Sequence, residues 1–574
     1  MGKPGEDAPA EKCQMADDGP KAMTRGWRKA RAEAARALAV IRARGPSQVQ
    51  FWFIALAIGI AAGFAALFFR KGISALQTFL YGSDDLRLAS VAGGLPWWWV
   101  LPVPIVGGLV VGLILHRFTP DGRVRAVADV IEGAAMQEGR VEMRAGLASA
   151  AASLITLGSG GSSGREGPVV HLAAVIATFV SNRINASGIT GRDLLGCAVA
   201  AAVSASFNAP IAGAIFALEV VLRHFAVHAF GPIAIAAVAG TVINRLEFGG
   251  VTEFMLPAEG VRFYVELPAF LLLGLVSGLV AVALMRSVIF AEDFGNRVQA
   301  ATGIPRWLRP ALAGAVLGAI AIEFPHIIGV GYETTSMALT GQIGLGAAVL
   351  YAAVKVAAVA VTMGGRMGGG MFSPALVVGS LTGLAFGLIA TGVLPEMSGA
   401  ETVYALAGMG AVAAAVLGAP ISTTLIVFEL TGDWETGLAV MTAVSLSTAL
   451  ASRLVDRSFF LTQLERRGIH LAAGPQAYLG ETIRLSAILR PLDHRRAAPE
   501  EACRQMIGEG TVLGESQMLE SALRTFERTG ADFIPVTRPG ADGGEPELVG
   551  AVFLTDALRA YARALAETAA EEHS

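Results

Sequence analysis

Apolar residues dominate the middle of the chain, and polar residues dominate both ends. The apolar stretch covers roughly residues 51–450. Its runs are continuous and do not alternate with polar residues, which indicates membrane-spanning helices and excludes a transmembrane barrel. A stretch of about 400 residues is long enough for ten or more crossings at roughly 20 residues each. The pattern therefore predicts an all-α polytopic membrane protein.

The apolar segments are of two kinds. The longer ones suit a full crossing of the bilayer: 51–69, 95–115, 268–285, 343–363 and 437–452. The shorter ones are interrupted by Gly or Pro: 145–157, 168–181, 194–206, 210–222, 374–393, 403–417 and 420–430. Short runs predict tilted helices or half-helices that end within the membrane, where irregular backbone is tolerated only inside protein or beside a wet cavity.

Two features recur along the chain at nearly the same offset. Ala-Pro-Ile at 209–211 begins a predicted helix that ends near Glu219, and Ala-Pro-Ile at 419–421 begins one that ends at Glu429. Upstream of each copy lies a Gly-rich turn, closed by Pro168 in the first and Pro374 in the second. The shared order and spacing predict an internal duplication, with repeats over about 51–245 and 265–460.

Composition agrees with a membrane protein and narrows its partners. Only 16% of the residues are charged and 53% are hydrophobic, whereas a soluble domain carries about 25% charged residues. The net charge of −3 predicts no nucleic-acid partner. The cysteines Cys13, Cys197 and Cys503 lie far apart, without the spacing of a disulfide framework or a metal site. No metal is expected.

The polar ends predict the topology. Eight basic residues and one acid lie between Lys21 and Arg44, so the basic N-terminal segment 1–48 is expected in the cytoplasm by the positive-inside rule. The membrane domain is expected over 49–470, and the polar residues 471–574 are expected to form a cytoplasmic domain.

The Gly-rich turns predict an anion site. A Gly-rich loop that leads into a helix presents backbone N–H groups and the positive end of the helix dipole. Glu166 lies in the first turn beside Arg165. Its carboxylate either occupies the anion site as a gate that protonation opens, or caps the helix and pairs with Arg165. The physics of the residue leaves both interpretations open.

Three motifs together resemble the CLC family of chloride channels and proton-coupled chloride transporters: GSGGSSGREGP at 158–168, SFNAPIAG at 206–213 and GGGMFSP at 368–374. The resemblance covers most of residues 50–470. It implies a homodimer, with two inverted halves and one anion pathway in each subunit. It also implies that Glu166 is the external gate, that the amides of Met371 and Phe372 line the central anion site, and that Gly164, Arg165 and Gly167 surround the outer one.

The sequence departs from the family at three places. Arg125 stands where the family has a serine of the central site, and is expected either in that site or at the cytoplasmic mouth. Phe460 replaces the family's pore tyrosine, so the ring is kept without its hydroxyl. Val220 stands where proton-coupled members carry an internal glutamate, which weakens the case for proton exchange.

The C-terminal region resembles one degenerate CBS module. Residues 519–523 predict a helix, 533–536 and 548–552 predict two strands, and 556–558 predict the next helix. CBS modules pair and often bind adenine nucleotides. Phe553 stands where a nucleotide-binding copy has Ser or Thr, so a structural tail is expected and no cofactor.

The sequence therefore predicts a non-enzymatic protein of a bacterial inner membrane, with both termini in the cytoplasm. It would move chloride or a similar small anion as a voltage- or pH-gated channel, or as a proton-coupled antiporter. A cation transporter with a CBS-like tail would need carboxylates along its pathway. An intramembrane serine protease would need Ser163 and His171 on separate facing helices.

Overall fold

The structure is a computed structural model. It describes residues 45–573 apart from 187, 226, 251–253, 255–262, 396–397, 470, 472–482, 516 and 539–546. The basic segment predicted over 1–48 thus lies almost entirely outside the described residues.

The first half of the membrane region is helical. Its helices are α1 (Gln48–Tyr81), α2 (Leu88–Ala92), α3 (Trp97–Val100), α4 (Pro102–Phe118), α5 (Val127–Met136), α6 (Met143–Gly158), α7 (Glu166–Ile184), α8 (Gly188–Phe207), α9 (Pro210–Phe216) and α10 (Val227–Phe248). Helix α9 continues as a π-helical turn over Ala217–Leu222.

The second half of the membrane region is also helical. Its helices are α11 (Phe263–Thr302), α12 (Arg309–Glu323), α13 (Tyr332–Leu339), α14 (Leu345–Gly364), α15 (Phe372–Val393), α16 (Glu401–Leu417), α17 (Pro420–Thr431), α18 (Trp434–Leu454) and α19 (Phe459–Glu465). Short 3₁₀ turns at Arg306–Leu308 and Pro325–Ile327 precede α12 and follow it.

Eight helical stretches of the described chain are long and apolar enough to cross a membrane, and the protein is an integral membrane protein. All five segments predicted to cross coincide with these stretches, although 95–115 and 343–363 begin two residues before theirs. Two segments predicted to be short, 168–181 and 374–393, lie in helices of 19 and 22 residues that are long and apolar enough to cross. Helix α7 extends beyond the first of these segments at both ends, from Glu166 to Ile184.

The membrane helices pack through small residues. A Cβ on Gly59 of α1 would lie 2.7 Å from the Cα of Ala236 on α10. Only glycine permits that separation, and it brings the two backbones into close contact. Dispersion contacts of this kind hold helices together in a membrane, because lipid supplies no hydrophobic driving force between them.

Two glutamates form hydrogen bonds between the two halves. The carboxylate of Glu429 accepts from the backbone N–H groups of Ile211 (3.0 Å) and Ala212 (2.7 Å) at the start of α9. In return, Glu219 accepts from Ile421 (2.9 Å) and from the backbone of Ser422 (2.8 Å) at the start of α17. Each carboxylate near the end of one helix thus caps the N-terminus of the other, where negative charge is favoured. The two helices run antiparallel.

The C-terminal region is a small α/β unit. It contains β1 (Arg490–Pro491), α20 (Glu500–Gly508), β2 (Leu513–Gly514), α21 (Leu519–Thr529), β3 (Phe533–Arg538), β4 (Glu547–Phe553) and α22 (Leu554–His573). The strands lie in the order β1-β4-β3-β2, with β2 and β3 parallel and the other pairs antiparallel. The helix–strand–strand–helix order predicted for 519–558 is confirmed.

Candidate functional site

The two Gly-rich turns meet in the centre of the membrane region. The N–H of Gly164 donates to the carbonyl of Gly370, and the N–H of Gly370 donates to the carbonyl of Gly164, both at 2.7 Å. A Cβ on Gly370 would lie only 2.9 Å from the backbone nitrogen of Gly167. The close approach therefore depends on glycine, and it joins one turn from each half.

Helices α7 and α15 begin directly after these turns. Their first intrahelical hydrogen bonds run from Val169 to Arg165 (3.2 Å) and from Ala375 to Met371 (3.1 Å). The N–H groups before them have no acceptor within their own helix, and each helix presents the positive end of its dipole. Two helix N-termini, one from each half, thus bring to one place N–H donors that have no acceptor within their own helix.

Glu166, the first residue of α7, is buried, with its side chain 2% exposed. Its Oε1 accepts from the Ser373 hydroxyl (2.6 Å) and from the Tyr332 hydroxyl (3.3 Å), and lies 3.9 Å from the Nε of Arg165. Its Oε2 has no hydrogen-bond partner among the described residues. The carboxylate is thus held by α13 and α15 of the opposite half.

A cavity of about 270 Å³ reaches Glu166 from the side of α19. Gly167, Met371, Phe372 and Phe460, which were predicted as site residues, line it together with Glu166. Gly164 and Arg165 are not among the lining residues. The Arg165 guanidinium instead donates to the carbonyl of Ser206 (3.2 Å) and lies over the ring of Tyr332 (4.9 Å).

Aromatic rings wall the inner end of the cavity. The Phe372 ring packs against Phe207 (centroids 4.6 Å apart) and Phe216 (5.9 Å). Phe460 is buried, and its ring packs edge-on against the Phe459 ring, with the centroids 6.1 Å apart. These rings offer no hydrogen-bond donor, so the polar contacts available to an anion there come from the helix N-termini.

Cations outnumber acids along the rest of the cavity. Apart from Glu166, its charged lining residues are Arg123, Arg366, Arg466, Arg467, Asp129 and Glu292. Asp129 lies 2.7 Å from Arg123 and 3.0 Å from Arg467. Burial alone would raise the pKa of Asp129, but these two guanidinium groups outweigh it and lower the pKa to about 2. The lining thus carries more arginines than acids, while Asp121, Asp293 and Glu132 outside it pair with Arg123, Arg466 and Arg467.

Arg125 lies outside this cavity. Its guanidinium pairs with Asp121 (2.8 Å) and Glu142 (2.8 Å), and its backbone N–H donates to the Ser149 hydroxyl (2.8 Å). These contacts turn the side chain away from Glu166, and Arg123, two residues earlier, lines the cavity instead. Of the two placements expected for Arg125, the central site does not match this geometry, and the cytoplasmic mouth stays a prediction.

Some residues of the site were missed in the sequence. Ser373 lies within the GGGMFSP motif, but the motif did not indicate that its hydroxyl would hold Glu166. Tyr332 stands in no motif.

Val220 is buried in the π-helical turn, and its apolar side chain is 5% exposed.

The family model described as "Voltage gated chloride channel" matches residues 107–452. The "Putative chloride channel protein ClcB-like" of Ralstonia nicotianae is 33% identical over 394 residues, which are 68% of this chain and 91% of the relative. The "Voltage-gated ClC-type chloride channel ClcB" of Escherichia coli is 28% identical over 413 residues, which are 71% of this chain and 97% of the relative.

Solved structures share the fold. A slow cyanobacterial Cl−/H+ antiporter superposes with a TM-score of 0.62 and 20% identity, over 73% of this chain and 97% of that one. A eukaryotic CLC transporter superposes with a TM-score of 0.64 and 16% identity, over 91% of this chain and 98% of that one.

Proposed function

Because this chain belongs to the voltage-gated chloride channel (CLC) family, we propose that it moves chloride or a similar small anion through the cavity that ends at Glu166. The position of Glu166 carries the proposal. A buried carboxylate stands at the meeting point of two helix N-termini, held by hydroxyls from the opposite half. A negative charge occupies the place where the backbone would favour an anion.

The mechanism follows from competition for that place. The ionised carboxylate occupies the outer end of the pathway and excludes a permeating anion. Protonation removes its charge and weakens its hold on the hydroxyls of Ser373 and Tyr332, so the side chain leaves and an anion takes its place. The anion is then held by the amides that begin α7 and α15, weakly enough to leave again.

The arginine excess along the cavity supports anion transport over cation transport. Arg123, Arg366, Arg466 and Arg467 would repel a cation before it reached Glu166. Ser163 precedes the helix that carries His171, so the two do not stand on separate facing helices as a protease would require.

We place the protein among gated channels, with proton-coupled antiport as the alternative. Val220 offers no carboxylate where proton-coupled members carry one, which favours a channel. The relatives named above are channels by name, whereas one of the solved structures named above is a Cl−/H+ antiporter. In proteoliposomes under a pH gradient, a channel gives a reversal potential set by chloride alone, whereas an antiporter gives one that the proton gradient shifts.

Assembly and orientation complete the proposal. We place both termini in the cytoplasm of a bacterial inner membrane, from the basic segment between Lys21 and Arg44. We also propose a homodimer with one pathway in each subunit and a C-terminal unit that stabilises the assembly.

The test is anion flux in proteoliposomes, with wild type beside Glu166→Ala and with chloride, nitrate and fluoride compared. The proposal expects anion flux in the wild type and faster flux that no longer depends on pH in the variant. If no anion moves in either protein, the proposal is wrong.

A further inference from the structure

Lys355 is a fully buried cation in the middle of α14. Its ammonium donates to the carbonyls of Ile327 (3.1 Å) and Gly329 (3.2 Å). A charged side chain inside a membrane protein is costly and marks a functional position more often than not. Lys355 does not line the cavity, so its charge serves the loop that it binds.

Asp85 binds the same loop through a backbone N–H. Its carboxylate accepts from the backbone N–H of Val330 and from the Gln77 amide (3.1 Å), and interacts electrostatically with Lys355 and Arg165. A Cβ on Gly329 would lie 2.9 Å from the Oδ1 of Asp85. The segment 327–330 is thus bound at its carbonyls by a cation and at an N–H by an anion.

This loop determines where Tyr332 stands. Gly329 (φ 66°) and Gly331 (φ 94°) take left-handed conformations, and the next residue, Tyr332, begins α13. The Nζ of Lys355 lies 3.3 Å from the place where a Cβ of Gly331 would be. From this start of α13 the Tyr332 hydroxyl reaches Oε1 of Glu166 at 3.3 Å. A continuous set of contacts leads from Lys355 to the carboxylate.

We propose that Lys355, together with Asp85, is a positioning residue for the gate: it fixes the loop 327–331 so that the Tyr332 hydroxyl stays on the Glu166 carboxylate. The inference rests on the proposed role of Glu166 and extends it to residues that touch neither the cavity nor the anion.

The expected effect is a shift in the pH dependence of transport. The groups facing the Glu166 carboxylate are Arg165 on its own turn, Tyr332 from α13 and Ser373 from α15. Removing the Tyr332 hydroxyl removes one hydrogen bond to the charged carboxylate, so protonation displaces the gate at higher pH. One hydrogen bond to a charged group corresponds to a shift of about 1–2 pH units.

The experiment measures chloride efflux from proteoliposomes against pH for Lys355→Met, Tyr332→Phe and the double variant. Each single variant should move the half-maximal pH upward by a similar amount, and the double variant should move it no further, because both act through one contact. Lys355→Arg should retain most of the wild-type profile. Lys71→Met, which changes an exposed lysine of α1, should leave the profile unchanged.

Two results would overturn the proposal. One is an unshifted profile in Lys355→Met while Tyr332→Phe shifts it, and the other is a double variant whose shift is the sum of the single ones. If Lys355→Met does not fold, Asp85→Ala removes the acceptor of the Val330 N–H in the same loop, with the same expected shift and the same result against it. If Glu166 is not the gate, Glu166→Gln keeps the wild-type pH profile. That result would contradict the proposed function and is distinct from the two results above.

Discussion

Glu166 and Phe372 occupy the same position in the two halves of the molecule. Each is the first residue of its helix and lies two residues before a proline, and the residues two before them, Gly164 and Gly370, exchange the pair of backbone hydrogen bonds at the centre. The duplicated backbone carries a carboxylate on one side and a ring on the other.

Neutralising the carboxylate should remove the pH dependence of transport. Glu166→Gln keeps the size of the side chain but has no charge to lose, so we expect flux that is independent of pH and close to the wild-type level at low pH. In the wild type, flux should rise as pH falls. The measurement is chloride efflux from proteoliposomes over a series of pH values, and a Glu166→Gln profile that still follows the wild type would contradict the gate.

Asp129 should not contribute to that pH dependence. Its pKa of about 2 lies below the ordinary value, so the stability that its ion pairs provide is present above the unfolded-state value of about 4 and is lost only as pH falls toward 2. Asp129→Asn should therefore leave the half-maximal pH of flux unchanged, while unfolding at neutral pH becomes easier. A shifted half-maximal pH would show that Asp129 takes part in gating.

Closing the space between the two turns should destabilise the protein. In Gly370→Ala the new methyl group would lie 2.9 Å from the backbone nitrogen of Gly167, and overpacking of this kind costs about 1–3 kcal/mol. The midpoint temperature of thermal unfolding in detergent should fall, and the anion flux should fall with it. Gly392→Ala, near the end of α15 with no atom within 4 Å of the new methyl group, is the matched control. Equal stability of the two variants would show that the turns tolerate separation.

The reciprocal caps should matter for stability and not for anion choice. Glu219→Ala and Glu429→Ala each leave two N–H groups at a helix start without their acceptor. Loss of a cap costs about 0.5–2 kcal/mol of stability, so the midpoint temperature of thermal unfolding should fall in both variants by similar amounts. The chloride-to-nitrate flux ratio should stay at the wild-type value, and a changed ratio would place these acids on the anion pathway.

The helix starts could be predicted from the sequence because they depend on local chemistry. Pro210 and Pro420 begin helices where the repeated motif predicts them, and the Gly-rich turns precede α7 and α15. The contacts around Glu166 could not be predicted in the same way. Tyr332 reaches the carboxylate from the end of a loop that lies outside the motifs and that Lys355 contacts.

The position of Arg125 could not be predicted because it depends on tertiary ion pairs. Counting residues back from Glu166 places Arg125 at the family's serine, but Asp121 and Glu142 hold its guanidinium away from the cavity. Arg123 then faces Asp129 and the cavity. Whether Arg123 or Arg125 faces the cavity therefore depends on partners that no motif identifies.

Restoring a hydroxyl at Phe460 should strengthen anion binding at the inner end of the cavity. The ring lines the cavity and is 4% exposed, so the added oxygen of Phe460→Tyr enters a nearly dry site and offers a donor where the aromatic wall offers none. One hydrogen bond to a charged partner contributes about 1.5–3 kcal/mol before the loss of mobility is subtracted. We expect chloride binding, measured by calorimetry in detergent, to become at least several-fold tighter, while the half-maximal pH of flux stays unchanged. Phe270→Tyr, on a buried ring that does not line the cavity, is the control for added polarity alone. Equal affinity in Phe460→Tyr and wild type would mean that the bound anion does not come within hydrogen-bonding distance of this ring.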